Sequence, residues 1–199
     1  MAGENQFDLF SSIGDLRLVQ ILIADLHDDL QGKLQRFRYL TDLTGALGSS
    51  GTMLPGGETT FNAWAEARTS FIHGNYMATV FLCQVLAEQI LAAYLALDVL
   101  NPIELPRKIS FRDTLDISID RKIITEADAT DLRRLMELRN PLSHYRGIDD
   151  PANLSRRVLN SMQPAEYHLA SDARFAISMA VRLLASPPFK LGEPINVQR

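Results

Sequence analysis

The stretch "YMATVFLCQVLAEQILAAYLAL", residues 76–97, is the strongest fold signal in the sequence. It is apolar over a length that could cross a bilayer, but Gln84, Glu88 and Gln89 fall near its middle. A charged side chain at the centre of a membrane-spanning helix costs about 2.5 to 3.5 kcal/mol. The stretch therefore predicts a buried core helix and no membrane contact.

Helix signals recur on both sides of this core segment. Ser110 with Asp113, and Thr125 with Asp128, have the spacing of capping boxes that open a helix. No stretch shows the alternation of a strand. The predicted helices cover about 61–73, 76–99, 110–119, a segment from 125 through 139, about 152–160, and 172–185. The sequence thus predicts an all-α fold, a bundle of about five or six helices preceded by a long N-terminal helix.

The N-terminal part has an amphipathic pattern of its own. Apolar residues recur at alternating spacings of three and four, which predicts a long helix, or a helix pair broken near Gly32. They are Val19, Ile23, Leu26, Leu30, Phe37, Leu40 and Leu47. The segment "GSSGTMLPGGETT" that follows is typical of a flexible connection. The predicted units are the N-terminal helix or helix pair at 1–47, a flexible linker at 48–60, the helical bundle at 61–186 and a tail at 187–199.

Charge is distributed unevenly, although the net charge is only −4. Residues 1–106 hold 5 basic and 12 acidic side chains, whereas residues 107–199 hold 15 basic and 12 acidic ones. A polyanion would therefore bind to the C-terminal half, where Arg134 is one candidate contact. A single cysteine, Cys83, allows no intrachain disulfide, and the N-terminus lacks the pattern of a secretory signal. Both features predict a cytoplasmic protein.

Several familiar sites have no counterpart in this sequence. There is no glycine-rich phosphate loop followed by Lys-Ser/Thr and no His-Glu-x-x-His motif. One cysteine and four scattered histidines do not have the usual spacing of a zinc site. We therefore expect neither a metal nor a cofactor.

The stretch "RLMELRNPLSHYR", residues 134–146, contains the pair best suited to phosphate chemistry. The planar fork of Arg139 can bind two phosphate oxygens, and His144 can move protons near neutral pH. Five positions on a straight helix leave two side chains about 140° apart. Pro141 either kinks the helix or starts a new one at Leu142, and such a bend can bring Arg139 and His144 to the same cleft.

The spacing alone is weak, because "RTSFIH" places Arg68 and His73 in the same arrangement. His73 precedes Gly74 at a predicted helix end, which favours a structural role. By contrast, Arg139 continues the apolar face of the preceding helix turns and so should point inward. The sequence context therefore distinguishes Arg139 and His144 from Arg68 and His73.

Residues 134–146, together with the apolar helix at 73–97, resemble the HEPN superfamily of helical domains, over roughly residues 61–186. The resemblance implies a bundle that dimerises with two motifs facing a shared cleft. In many members it also implies a metal-independent endoribonuclease. Arg139 and His144 would then be catalytic, with Asn140 assisting. The superfamily also includes non-catalytic members.

Other residues are candidates for supporting roles. Glu88 is the only charge in an otherwise apolar helix, so it either orients Arg139, forms a structural ion pair with it, or reaches the surface. Ser143, Tyr145 and Arg146 flank the histidine and could contact substrate. Packing is the alternative for Tyr145, and simple surface exposure for Arg146.

The predicted function is RNA cleavage by 2′-hydroxyl attack, in a toxin or defence effector. The expected partners are RNA, a second copy in a homodimer, and an antitoxin or regulatory protein. The alternative is a non-catalytic helical module that uses the same face for binding or regulation. The long N-terminal helix and the acidic net charge favour that alternative.

Overall fold

The computed structural model describes residues 16–97 and 105–192. Within these ranges the fold is all-α, as predicted, and no strand is present. The helices are α1 (Leu16–Asp28), α2 (Leu30–Thr44), α3 (Gly57–Ile72), α4 (Tyr76–Ala96), α5 (Phe111–Asp120), α6 (Glu126–Ser143), α7 (Leu154–Ser161) and α8 (Ala165–Ala185), with a short 3-10 turn at Gly45–Leu47. The N-terminal residues 1–15, the predicted end of the core helix at Val99 and tail residues 193–199 lie outside the described ranges.

Helix α4 is the centre of the bundle, with α3, α5, α6 and α8 packed around it. Val80, Cys83, Leu86, Ile90 and Leu91 are completely buried at successive turns. By length and composition this helix could span a membrane. Four other described helices pack around it, which agrees with the prediction of a buried core helix.

The side chains predicted to open α5 and α6 cap these helices, and Thr125 with Asp128 forms a complete capping box. Ser110 caps α5, accepting a hydrogen bond from the backbone N–H of Asp113 at 3.1 Å. Thr125 Oγ1 accepts from the N–H of Asp128 at 3.1 Å, and the Asp128 carboxylate accepts from the N–H of Thr125 at 3.2 Å. These reciprocal bonds satisfy donors that the first turn of α6 would otherwise leave unpaired.

The N-terminal segment is a helix pair, and the break lies at Asp29 rather than near Gly32. Arg36 attaches α2 to the turn between α3 and α4. Its Nε donates to the carbonyl of Ile72 at 2.8 Å, and its Nη2 binds Asp29 at 2.7 Å. Leu40 is buried in the main core, so α2 belongs to the bundle.

The segment predicted to be a linker is also attached to the bundle. The N–H of Met53 donates to the carbonyl of Phe189 at 2.7 Å, and Thr52 Oγ1 donates to the carbonyl of Leu184 at 2.8 Å. Phe189 is fully buried although the sequence placed it in a tail. Helix α3 begins at Gly57, four residues before the predicted start. Residues 51–53 and 189–191 thus close one end of the bundle.

Candidate functional site

Helix α6 carries Arg139 towards α4. Leu132 and Leu135 are fully buried, and Arg139 lies one turn further along, half-buried. Its guanidinium carbon is 5.3 Å from the centroid of the Phe81 ring. No described carboxylate forms an ion pair with it. The expected inward direction of Arg139 is therefore observed, and its cation is held by an aromatic face.

The end of α6 places His144 at the surface. The helix runs through Pro141 to Ser143, and His144 follows in extended conformation with φ −124° and ψ 135°. Its N–H donates to the carbonyl of Asn140 at 3.0 Å, and Ser143 Oγ donates to the same carbonyl at 3.2 Å. The His144 side chain is exposed.

Pro141 does not start a new helix at Leu142, because α6 continues through it to Ser143. Pro141 lies in the last turn of α6, where it removes only the hydrogen bond to the carbonyl of Glu137. Glu137 is exposed, so water can replace the missing donor. The helix therefore tolerates the proline without breaking.

His144 lines an open groove of about 350 Å³ between the end of α6 and the start of α7. The lining residues are Pro141, Leu142, Ser143, His144, Tyr145, Arg146, Asn153, Leu154 and Ser155. Arg139 and Asn140 are not among them. In a single chain, then, the groove contains the histidine of the motif and not its arginine.

The groove has features that favour an anion. Asn153 caps α7, accepting from the N–H of Arg156 at 3.2 Å, and its amide donates to the carbonyl of Arg146 at 2.7 Å. This places the N-terminus of α7 at the groove, with no acidic residue in its first turn. Helix N-termini attract negative groups. Arg146 adds a cation, although Asp150 lies 3.6 Å from it.

Tyr145 is 95% exposed, which excludes the packing alternative for this residue. Arg146 is a surface residue, but its ion pair with Asp150 restrains it beside the histidine. Arg134 lies outside the groove, with its guanidinium carbon 4.2 Å from the centroid of Phe175. Of these three candidates, Tyr145 and Arg146 line the groove and Arg134 does not.

Glu88 does not pair with Arg139. It is half-buried and lies two helical turns from Phe81 on the same side of α4. No ion pair joins it to any described residue. Gln84, on the same side, is buried and its Oε1 has no hydrogen-bond partner. No contact between Glu88 and Arg139 supports the predicted role of Glu88 in orienting the arginine. Phe81, which was not among the residues predicted from sequence, contacts Arg139 instead.

Some of the basic side chains in the C-terminal half form ion pairs with aspartates. Arg133 binds Asp116 at 2.7 Å. Arg157 binds both carboxylate oxygens of the buried Asp172, at 2.6 and 2.9 Å. These ion pairs leave the net basic surplus of this half unchanged, and Arg139 is one of the described arginines that form no ion pair with a described carboxylate.

The second Arg/His pair differs in setting. Arg68 lies with its guanidinium carbon 5.2 Å from the centroid of Trp64, and His73 caps the end of α3, its N–H donating to the carbonyl of Thr69 at 3.0 Å. The side chains of His73 and His144 are both exposed, and both residues lie at helix ends. His73 is therefore a matched control for His144.

The remaining reactive groups do not form a site in the described ranges. No group of three or more His, Cys, Asp or Glu side chains is arranged there to hold a metal ion. Cys83 is fully buried, and burial raises the pKa of its thiol. Neither feature adds to the groove at His144.

No family model matches this chain, and comparisons with curated proteins and with solved structures found no match either. The likeness to the HEPN superfamily therefore rests on the motif and its helical context.

Proposed function

We propose that this chain is a metal-independent endoribonuclease of the HEPN type. The strongest support for this proposal is the environment of the Arg139 and His144 side chains. Arg139 is held against Phe81 with its charge unpaired among the described residues, and His144 is exposed in a groove suited to an anion. Arg134 also lies over an aromatic ring without a described carboxylate partner, so its position within the motif is what distinguishes Arg139.

In the proposed reaction, His144 takes the proton from a ribose 2′-hydroxyl. The 2′-oxygen attacks the adjacent phosphorus, and the bond from phosphorus to the 5′-oxygen breaks. Arg139 stabilises the charge that develops on the phosphate oxygens. The leaving 5′-oxygen takes up a proton, so the products are a 2′,3′-cyclic phosphate and a 5′-hydroxyl.

A homodimer forms part of this proposal. One histidine cannot readily act as base and acid in the same step, whereas a two-fold axis supplies a second histidine. Because Arg139 lies outside the groove of its own chain, a shared cleft also offers a way for both side chains to reach one phosphate.

Product chemistry tests the reaction. Wild-type protein is incubated with a mixed-sequence RNA in EDTA, and the fragment ends are analysed. The proposal predicts cleavage with 5′-hydroxyl and 2′,3′-cyclic phosphate ends. Ends with 5′-phosphate and 3′-hydroxyl, or no cleavage under any buffer condition, would contradict it.

The proposed biological role is that of a cytoplasmic toxin or defence effector, restrained by an antitoxin or regulatory partner. Expression of the wild-type chain should then arrest growth, and expression of His144→Ala should not. Normal growth with the wild-type chain, or arrest that persists in His144→Ala, would contradict the role.

A second candidate function is a non-catalytic helical module for binding or regulation. It is favoured by the separation of Arg139 and His144 in the single chain. A module of this kind would bind RNA or a protein partner without producing new RNA ends, so the same end analysis distinguishes the two.

A further inference from the structure

The outward side of α1 and α2 carries a continuous apolar surface. We define the stripe as the six residues Leu22, Ile23, Leu26, Leu30, Leu34 and Phe37. Each of them is between 47% and 60% exposed. At 100° per residue they fall within about 120° of one another on an ideal helix. The N–H of Lys33 donates to the carbonyl of Asp29 at 2.9 Å, which continues the helical hydrogen bonding across the break.

Helix α1 has little support from the rest of the chain. It is 13 residues long, and none of its residues 17–28 is buried. Isolated helices of this length are marginal in water, because nucleation is costly and few hydrogen bonds form. Helix α2 differs, since Leu40 and Arg36 attach it to the bundle. A surface that covers the stripe would therefore stabilise α1 in particular.

We propose that the stripe packs antiparallel against the stripe of a second copy of this chain. Charge favours this occupant and this direction. Residues 16–29 carry three aspartates and one arginine, whereas residues 30–44 carry three basic side chains and one aspartate. An antiparallel pair places the acidic helix of one copy along the basic helix of the other. A parallel pair would place like charges together.

The apolar positions match in the same arrangement. If the two-fold axis passes near Leu30, residues at equal distances on either side of it meet across the interface. Leu26 then lies beside the partner's Leu34, and Ile23 lies beside the partner's Phe37. Each copy contributes the same self-complementary surface, and the contact closes as a dimer.

The exposed area is consistent with a self-association surface. The six side chains expose about 500 Å² per copy, which is within the size of the largest apolar patches on soluble monomers. A pair would remove about 1,000 Å² of apolar surface from water before flanking residues are counted, close to the lower bound for a specific interface. The proposal is independent of RNA cleavage, because the stripe shares no residue with the groove at His144.

The first test compares masses in solution for the full chain at micromolar concentration, by sedimentation equilibrium. The wild type should be larger than a monomer, and Leu26→Ser with Leu30→Ser should halve its mass, with the dissociation constant of the stripe contact raised by about 30-fold or more. A matched control, Ile148→Ser with Leu159→Ser, removes equally exposed apolar side chains elsewhere and should leave the mass unchanged. A monomeric wild type, or a stripe variant that keeps the wild-type mass, would overturn the proposal. A dimeric variant of a tetrameric wild type would support it, because the contact at the His144 cleft then remains.

The second test reads the direction of the pair and does not disturb the core. Cys83 is buried, so a cysteine introduced on the stripe is the reactive thiol. Leu30→Cys near the axis should form a disulfide-linked dimer under mild oxidation. Leu22→Cys should not, because its two copies would be separated by about 24 Å along the antiparallel helices. Linking of Leu22→Cys as fast as Leu30→Cys, or linking of neither, would overturn the antiparallel arrangement.

Discussion

The guanidinium carbon of Arg139 lies 5.3 Å from the ring centroid of Phe81, in the second turn of α4. This contact joins the last turns of α6 to the central helix of the bundle. Stacking on an aromatic face orients a guanidinium without neutralising it. A carboxylate partner would orient it equally well but would compete with phosphate for the charge.

Removal of the Arg139 side chain should have a small effect on stability and a large effect on RNA cleavage. We expect Arg139→Ala to lower the free energy of unfolding by about 1 kcal/mol, the size of a partly exposed cation–π contact. RNA cleavage should fall by about 10²- to 10³-fold, as for loss of one group that stabilises transition-state charge. Urea unfolding and initial cleavage rates measure the two effects.

Arg134→Ala is the matched control, because Arg134 stacks on Phe175 in the same way at 4.2 Å. It should lose similar stability and retain nearly full cleavage. Equal losses of cleavage in the two variants would show that general positive charge, and not the position of Arg139, supports RNA binding.

The contact between Arg157 and Asp172 should be the most important polar contact for stability. The Asp172 side chain is 7% exposed and receives two hydrogen bonds from Arg157. Asp172→Ala leaves a partly buried arginine without its partner, so we expect a loss of about 3 kcal/mol in the free energy of unfolding. Asp116→Ala breaks an exposed ion pair with Arg133 and should cost less than about 1 kcal/mol. Similar losses in the two variants would contradict this ranking.

Two glycines should respond in opposite ways to alanine. Gly56 has φ +103°, and a Cβ there would overlap Thr60 Oγ1. We expect Gly56→Ala to lower the free energy of unfolding by at least about 1 to 2 kcal/mol. Gly45 has φ −54° and open space around it, so Gly45→Ala should be neutral or stabilising by up to about 1 kcal/mol. Thermal unfolding measures the stability of both variants. A Gly56→Ala variant more stable than Gly45→Ala would contradict the prediction.

Cys83 should make the free energy of unfolding fall as the pH rises into the alkaline range. Burial raises the pKa of its thiol, so the folded state holds this proton more tightly than the unfolded state does. Its contribution is fully present below the unfolded pKa and is lost progressively as pH rises above that value, about 8.5. The wild type should lose more stability than Cys83→Ala between neutral and strongly alkaline pH in urea unfolding. Equal losses of stability in the wild type and in Cys83→Ala would contradict this prediction.

The parts of the fold that sequence predicts well are those with local signals. Helix α4 follows from its apolar composition, and the start of α6 follows from the spacing of Thr125 and Asp128. The attachment of residues 51–53 to Phe189 depends on backbone hydrogen bonds between distant segments, which glycine-rich composition does not reveal. Helix α8 begins at Ala165, seven residues before its predicted start, because Pro164 can precede a helix as well as follow one.

The candidate site is predictable only in part for the same reason. The inward direction of Arg139 follows from helical periodicity along α6. Its partner is Phe81 and not Glu88, because Glu88 lies two turns further along α4. The position of His144 depends on how many residues of α6 follow Pro141, and helix ends are poorly determined by propensity.

The catalytic role of His144 is tested by the initial rate of RNA cleavage by His144→Ala compared with that by His73→Ala, at equal protein concentration in EDTA. Both substitutions remove an exposed imidazole at a helix end, so neither should change the free energy of unfolding by more than about 0.5 kcal/mol. We predict that His144→Ala loses at least about 100-fold in rate, the scale of a general base, while His73→Ala keeps the wild-type rate. A His144→Ala variant that cleaves as fast as the wild type would contradict it.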